Sequence, residues 1–148
     1  MAKNLSNTKI VNALDYASGT ADRTGAIIDM AGWTGVLMIV KFATIAASAV
    51  TSIKAQQDTD VAGGTMADLL GTGITVADDD DNQIFCLNLV KPEKRYVRLY
   101  VDKDAAHAAA ESAYYILYGP HGIAEPTLAN VTDAFTLETH TTPAEGTA

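Results

Sequence analysis

A single cysteine, Cys86, stands among the 148 residues, so no disulfide can close within one copy. It lies in the apolar run IFCLNL. There it reads as a small buried hydrophobe, because no cationic cluster adjoins it to activate the thiol. Long apolar runs are also scarce. A membrane-spanning helix needs about 20 consecutive apolar residues. The best stretch, Val36 to Ile53, is interrupted by Lys41, Thr44, Ser48, Thr51 and Ser52. No apolar block follows Lys3 and Lys9 as it would in a secretion signal, and the C-terminus AEGTA offers no cysteine for a lipid anchor. No membrane partner is expected. Positive charge is missing from two long stretches. Residues 58–90 carry seven acidic groups and no basic one, and residues 104–148 carry six acidic groups and no Lys or Arg. With a net charge of −8, the chain is repelled by phosphate backbones, and no nucleic acid is expected as partner. The exception is residues 91–103, with five basic and two acidic groups, which can meet an acidic protein surface.

Signatures of chemistry are missing as well. The run Asp78-Asp79-Asp80-Asp81 lacks the central Gly and terminal Glu of a calcium loop. Four adjacent carboxylates repel one another, so the run reads as a solvated turn, with Asp78 and Asp80 as weak metal candidates. His107, His121 and His140 have no ligand spacing to one another. There is no GxSxG nucleophile elbow, and AGGT at 62–65 lacks the lysine of a phosphate loop. No catalytic residue can be nominated, and no enzyme activity or cofactor is expected.

What remains is a chain rich in short, branched, strand-like runs. GVLMIVKF and VTSIKAQQ read as two strands joined by an Ala/Ser loop, with a single buried helix as the competitor. AIIDM and ITV are further short strands, and MADLL is a possible helical turn with Thr65 as its N-cap. IFCLNLV and RYVRLYVD are two clear runs separated by the turn KPEK. In the second, Tyr96, Arg98 and Tyr100 alternate with Val97, Leu99 and Val101, which puts an aromatic–cationic stripe opposite an aliphatic one. That stripe fits a nucleic-acid platform, a protein interface or ordinary sheet surface; the acidic surroundings favour protein. SAYYILYG is another strand, preceded by a loop through DKDAAHAAAE and ended by GPHG. Trp33 is a core anchor or an interface anchor. The pattern predicts an all-β, β-sandwich or jelly-roll-like single domain over 19–125. An N-terminal arm (1–18), with one possible short strand at KIVNALDY, and an extended C-terminal tail (126–148) flank it.

Four stretches, ALDYASGTADRTGAIIDMAGWTGVLMIVKFATIAASAVTSIKAQQ, KRYVRLYVD, AYYILYGP and the ending TPAEGTA, together resemble small virion proteins of tailed bacteriophages, of the capsid decoration or cement kind. The resemblance covers roughly residues 10–148 and rests on sequence texture, not on an active-site motif, so no functional residue carries over. It implies a structural protein bound to the outer surface of the phage head, with the major capsid protein and further copies of itself, as a symmetric dimer or trimer, for partners. Arms that order on binding suit such a role. The expected interface residues are Asn4, Ile10, Leu14 and Tyr16 of the N-terminal arm, then Trp33, Tyr96, Arg98 and Tyr100; the tail after Pro126 is expected to share the contacts. A head–tail connector or tail protein, and a carbohydrate- or host-surface-binding β-sandwich, are the alternatives.

Overall fold

Alternation of side chains along a strand forces a choice of faces, and this chain makes it repeatedly. A computed structural model describes residues 7–124. It contains ten strands: β1 Thr8–Gly19, β2 Arg23–Thr24, β3 Ile28–Asp29, β4 Trp33–Ile45, β5 Thr51–Asp58, β6 Ala67–Asp68, β7 Ile74–Val76, β8 Ile84–Val90, β9 Tyr96–Lys103 and β10 Ala109–Pro120. They form two antiparallel sheets. The first has the order β1-β10-β4-β8. In the second, β9 and β5 run side by side, β2 and β3 share the outer edge of β9, and β6 and β7 share the outer edge of β5. The all-β expectation holds.

One core lies between the sheets. Val36, Met38, Val40 and Phe42 of β4 and Ala113, Tyr115 and Leu117 of β10 meet Ile53 and Ala55 of β5 and Val97, Leu99 and Val101 of β9. GVLMIVKF and VTSIKAQQ are indeed strands, but they do not pair with each other. They lie in opposite sheets, so the chain folds back across the sandwich. IFCLNLV and RYVRLYVD are divided in the same way, with the KPEK turn crossing between sheets.

Tyr115 ties the sheets together from within. Its ring is fully buried, and its hydroxyl accepts the Leu99 N–H at 2.8 Å. The edge of β9 is open there because β2 and β3 are separate strands, with Gly25 between them donating to the Leu99 carbonyl at 2.9 Å. A Cβ on Gly25 would fall on the Tyr115 hydroxyl oxygen, so only glycine leaves room. Burial pushes the Tyr115 phenol up from its ordinary value, with the Leu99 N–H opposing.

At one end of the sandwich a buried ion cluster makes a second tie. Glu111 of β10 has no solvent exposure and meets the Lys103 ammonium at 2.9 Å and the Arg23 guanidinium at 2.9 Å. Lys103 also donates to the carbonyls of Gly19 and Ala109, and Arg23 to that of Asp15. The two cations on Glu111, and the carbonyls that Lys103 and Arg23 bond, offset the cost of burying this carboxylate.

Several local expectations need correction. The arm is mostly strand: the possible short strand at KIVNALDY is real but longer, Thr8–Gly19, and joins the first sheet from Thr8↔Tyr118 to Gly19↔Ala109. Its apolar residues Ile10, Val11 and Leu14 find partners on β10, which is reason enough for it to join the sheet. MADLL is not helical: Ala67–Asp68 is β6, and Thr65 donates through both its N–H and its hydroxyl to Asp58. Burial pushes the Asp58 carboxyl up, but the N–H groups of Thr65, Asp60 and Thr59 outweigh it and hold the group below its usual range. Cys86 is exposed, not buried, because β8 directs it away from the core. The strand of SAYYILYG starts earlier than its sequence suggests, at Ala109.

Candidate protein interface

A sheet that covers a core on one face normally turns polar residues to water on the other. The six-stranded sheet obeys this. Its outer face carries Tyr96, Arg98 and Tyr100 of β9 beside Asp58, Gln56 and Lys54 of β5 in register. Each polar group has a partner at hand. Arg98 donates to Gln56 at 2.8 Å, Tyr100 donates to Asp22 at 2.8 Å, and Lys54 pairs with Asp68 at 2.8 Å while lying 4.9 Å from the Tyr100 ring. Arg95 grips Asp29 with two bonds, at 2.8 and 2.7 Å. The Lys103 N–H and then the Tyr100 hydroxyl hold the Asp22 carboxyl below its usual range. The same bond to Asp22 raises the Tyr100 phenol. The expected stripe is thus real as an alternation, and its groups are engaged with one another across the sheet.

The four-stranded sheet breaks the rule. Its outward positions can be read from the register in rows. Ile10 lies beside Ile116, which lies beside Leu37, which lies beside Asn88. Next come Asn12, Tyr114, Ile39 and Cys86, and on the other side Thr8, Tyr118, Gly35 and Val90. Lys41 and Ile84 close one end. Both faces of β4 and β10 are therefore apolar, which is why GVLMIVKF and YYILY show no polar alternation. Tyr114 is 48% exposed, Ile84 63% and Val90 57%. Tyr118 lies over Gly35 and donates its hydroxyl to Asn88 of β8 at 2.7 Å. A Cβ on Gly35 would come within 2.5 Å of the Tyr118 ring carbon. The glycine lets the ring lie flat, so the face is smooth. Lys41, the one cation among these positions, sits at the rim and donates to the Asn82 carbonyl.

The size of this face decides what it can do. Four strands at about 4.8 Å and seven residues at about 3.4 Å give about 19 by 24 Å, or about 450 Å². That equals the largest apolar patch on a typical monomer, and such patches are often functional. Covering it is worth at most about 11 kcal/mol gross at 25 cal/mol per Å², since Thr8, Asn12, Asn88 and Lys41 take part of the area. Association itself costs about 4–15 kcal/mol, so one such face supports weak binding at best.

Of the residues expected at an interface, Ile10 is on this face, and Tyr16, 67% exposed, stands beyond its end on β1. Leu14 and Trp33 are core residues, each 7% exposed. Tyr96, Arg98 and Tyr100 are on the opposite sheet. Asn4 and the tail after Pro126 lie outside the described residues. Leu37, Ile39, Tyr114, Ile116 and Tyr118 went unnoticed in the sequence. The available signal was two consecutive phases of apolar residues in both GVLMIVKF and YYILY, which a one-sided strand does not show.

The acidic run has a structural task. Asp81 accepts the Ile45 N–H at 2.7 Å and Asp78 the Ser48 N–H at 2.6 Å, while Asp80 accepts from Ala77 and Gln83. Asp78 and Asp80 thus face different donors, and no cluster of three His, Cys, Asp or Glu suited to a metal exists among the described residues. His107 is bonded to Asp104 at 2.7 Å, at the opposite end of β10 from His121. At that second end, Lys91, Lys94, Arg95, His121 and Trp33 line an open cleft of about 500 Å³ between the β3–β4 turn and the β8–β9 crossover. No helix among the described residues is long and apolar enough to cross a membrane.

No family model matches the chain, and no curated protein does. Among solved structures it is similar to the phage PBSX exported protein XepA. That match has a TM-score of 0.54 and 14% identity, and covers 95% of this chain and 46% of XepA. The chain thus spans about half the length of that protein. A subunit of Bacillus endospore appendages, described as disulfide-linked pili, matches over 81% of this chain and 96% of its own, with 14% identity and a TM-score of 0.43. At such identity the first likeness establishes a shared fold, and the second is too loose to argue from.

Proposed function

We propose that this protein is a non-enzymatic structural component of a phage virion that docks on the outside of the head and stabilises it, and that the outer face of β1-β10-β4-β8 is its docking surface. The carrying observation is the asymmetry of the two sheets: one outer face is polar and internally paired, the other apolar and uncharged apart from Lys41. A fold shared with a phage exported protein supports the setting, as does the resemblance of the sequence to capsid decoration proteins. Weak single-face binding suits a shell that offers many equivalent sites. Occupied sites stabilise the shell by mass action, because the ligand binds the assembled state.

The test is to mix the purified protein with heads of its phage, sediment them, and count bound copies by mass spectrometry against the major capsid protein. Many copies spread over the head, raising its heat resistance, are expected. Ile116→Lys, which puts a charge in the middle of the face, should abolish binding. A few copies in one ring would instead indicate a connector, and unchanged binding by the lysine variant would remove this face from the account.

A further inference from the structure

A sheet edge presents unpaired N–H and C=O groups that another strand can join, and proteins blunt such edges with short strands, bulges or charge. Three of the four edges here are blunted. On one side of the second sheet the edge is divided into β2 and β3, two residues each, and on the other into β6 and β7, of two and three residues. β1, at one edge of the first sheet, is interrupted twice, between Asn12 and Leu14 and between Leu14 and Ala17. The fourth edge is β8. It is seven residues long, IFCLNLV, with no charge and no proline, and its register against β4 is unbroken from Ile84↔Lys41 to Val90↔Gly35. Among the described residues β4 is its one partner.

The hydrogen bonds fix which groups are free. Phe42 donates to the Gln83 carbonyl and Lys91 to that of Thr34, so the odd-numbered residues of β8 face β4. The N–H and C=O groups of Ile84, Cys86, Asn88 and Val90 therefore point outward along the edge.

We propose that β8 pairs antiparallel with β8 of a second copy about a twofold axis at Leu87, joining the two four-stranded sheets into one. In that register Ile84 meets Val90 of the second copy and Cys86 meets Asn88, and these are the residues whose backbone groups are free. Phe85 meets Leu89 and Leu87 meets its own counterpart, so apolar residues oppose apolar ones. The charges agree as well. Asp78–Asp81 precede β8 and Lys91 and Lys94 follow it, so the twofold brings the acidic turn of each copy to the end that carries the basic crossover of the other. Such a place lets a chain of net charge −8 approach itself with less repulsion. The joined sheet presents a doubled apolar outer face of about 900 Å², the area one partner contributes to a standard interface. The pairing itself does not depend on what that face binds.

Cys86 is exposed and is the sole cysteine, which makes it the probe. In the proposed register the two Cys86 Cα atoms are about 9 Å apart, from a cross-strand spacing of about 5.5 Å and an offset of two residues. The full chain, labelled with a nitroxide at Cys86, should sediment at twice its 15.6 kDa mass and show dipolar broadening that disappears on dilution with unlabelled chain. Cys86→Pro, which removes an outward N–H and leaves the β4 ladder intact, should sediment as a folded monomer. A monomeric wild-type chain would overturn the pairing, as would a trimer, or a dimer whose labels show no broadening. Capsid binding by a chain that is monomeric free in solution would overturn the pairing and leave the docking reading standing.

Discussion

Removing one oxygen and adding one carbon tests whether the two sheets are joined as described. Tyr115→Phe deletes the hydroxyl that accepts the Leu99 N–H at 2.8 Å. Leu99 is fully buried, so no water replaces the lost acceptor. An orphaned buried donor costs about 1–3 kcal/mol. Gly25→Ala places a methyl on that same hydroxyl, with the Tyr115 ring carbon and Leu99 Cβ each at 3.3 Å. Overpacking of that kind costs about 1–3 kcal/mol. Treated as independent, the two changes would cost about 2–6 kcal/mol together. They are not independent, because the phenylalanine vacates the position that the alanine methyl needs. The double variant should cost little more than Tyr115→Phe alone, which makes the coupling about 1–3 kcal/mol. Urea unfolding followed by the fluorescence of Trp33, the one tryptophan and a core residue, measures all four corners of the cycle. Additivity within about 0.5 kcal/mol would refute the shared site.

Other outcomes follow from the same geometry. Glu111→Leu leaves the Lys103 ammonium buried without its carboxylate and should cost about 3–5 kcal/mol, most of it recovered when Lys103→Met is added; urea midpoints of the single and double variants check this. Ile116→Lys should leave the melting temperature within about 4 °C of the parent, since Ile116 lies on the outer face, and the loss it causes should appear in head binding alone. Asp104 is held well below its ordinary value of 3.8, first by the His107 N–H, then by the His107 ring and the N–H groups of Val50 and Ala106. A carboxyl depressed on folding contributes stability above its unfolded value, and that contribution is lost as pH falls below it. Thermal melts should therefore decline as pH drops through about 4, and less steeply for Asp104→Asn. The phenol of Tyr115 is raised from 10.0, so stability should fall as pH rises above that value, less so for Tyr115→Phe.

How much of this was visible in the residues depends on which link is considered. Strand-forming runs were legible because branched residues and turn signals are local: KPEK, GPHG and the alternation of Tyr96, Arg98 and Tyr100 all coincide with real boundaries and faces. Which strand pairs with which was not, because pairing is decided by contacts far apart in sequence. GVLMIVKF gives no sign that its neighbours will be SAYYILYG on one side and IFCLNLV on the other. The same limit hid the interface. Leu37 and Ile39 look like residues of a strand buried on both faces, and only the finished sheet reveals that one of those faces has no cover among the described residues. Trp33 failed as an interface anchor for a related reason: an isolated aromatic between Gly32 and Thr34 looks the same in sequence whether the turn beside it points it inward or outward. Cys86 was judged by its apolar neighbours, whereas strand phase put it outside.

The two outer faces also fix how the protein can be oriented on any larger body. Lys54, Arg95, Arg98 and Tyr100 already have acceptors within their own sheet, so a partner placed there must break existing bonds before making new ones. Leu37, Ile39, Ile116 and Tyr114 have nothing to break, and covering them releases water at no such expense. The difference in starting state, more than the difference in polarity, would favour the first sheet as the docking face proposed above. A domain attached through that sheet turns its ion-paired sheet to solvent. None of the described carboxylates stands in the outward rows of the first sheet, so their charge surrounds the docking face without lying on it. Copies crowded on a common surface repel one another through that charge, except along β8, where acidic and basic segments are offset in opposite senses. Raising the salt concentration should therefore let copies pack more densely on a surface while weakening the β8 pairing, two opposite trends from one charge distribution.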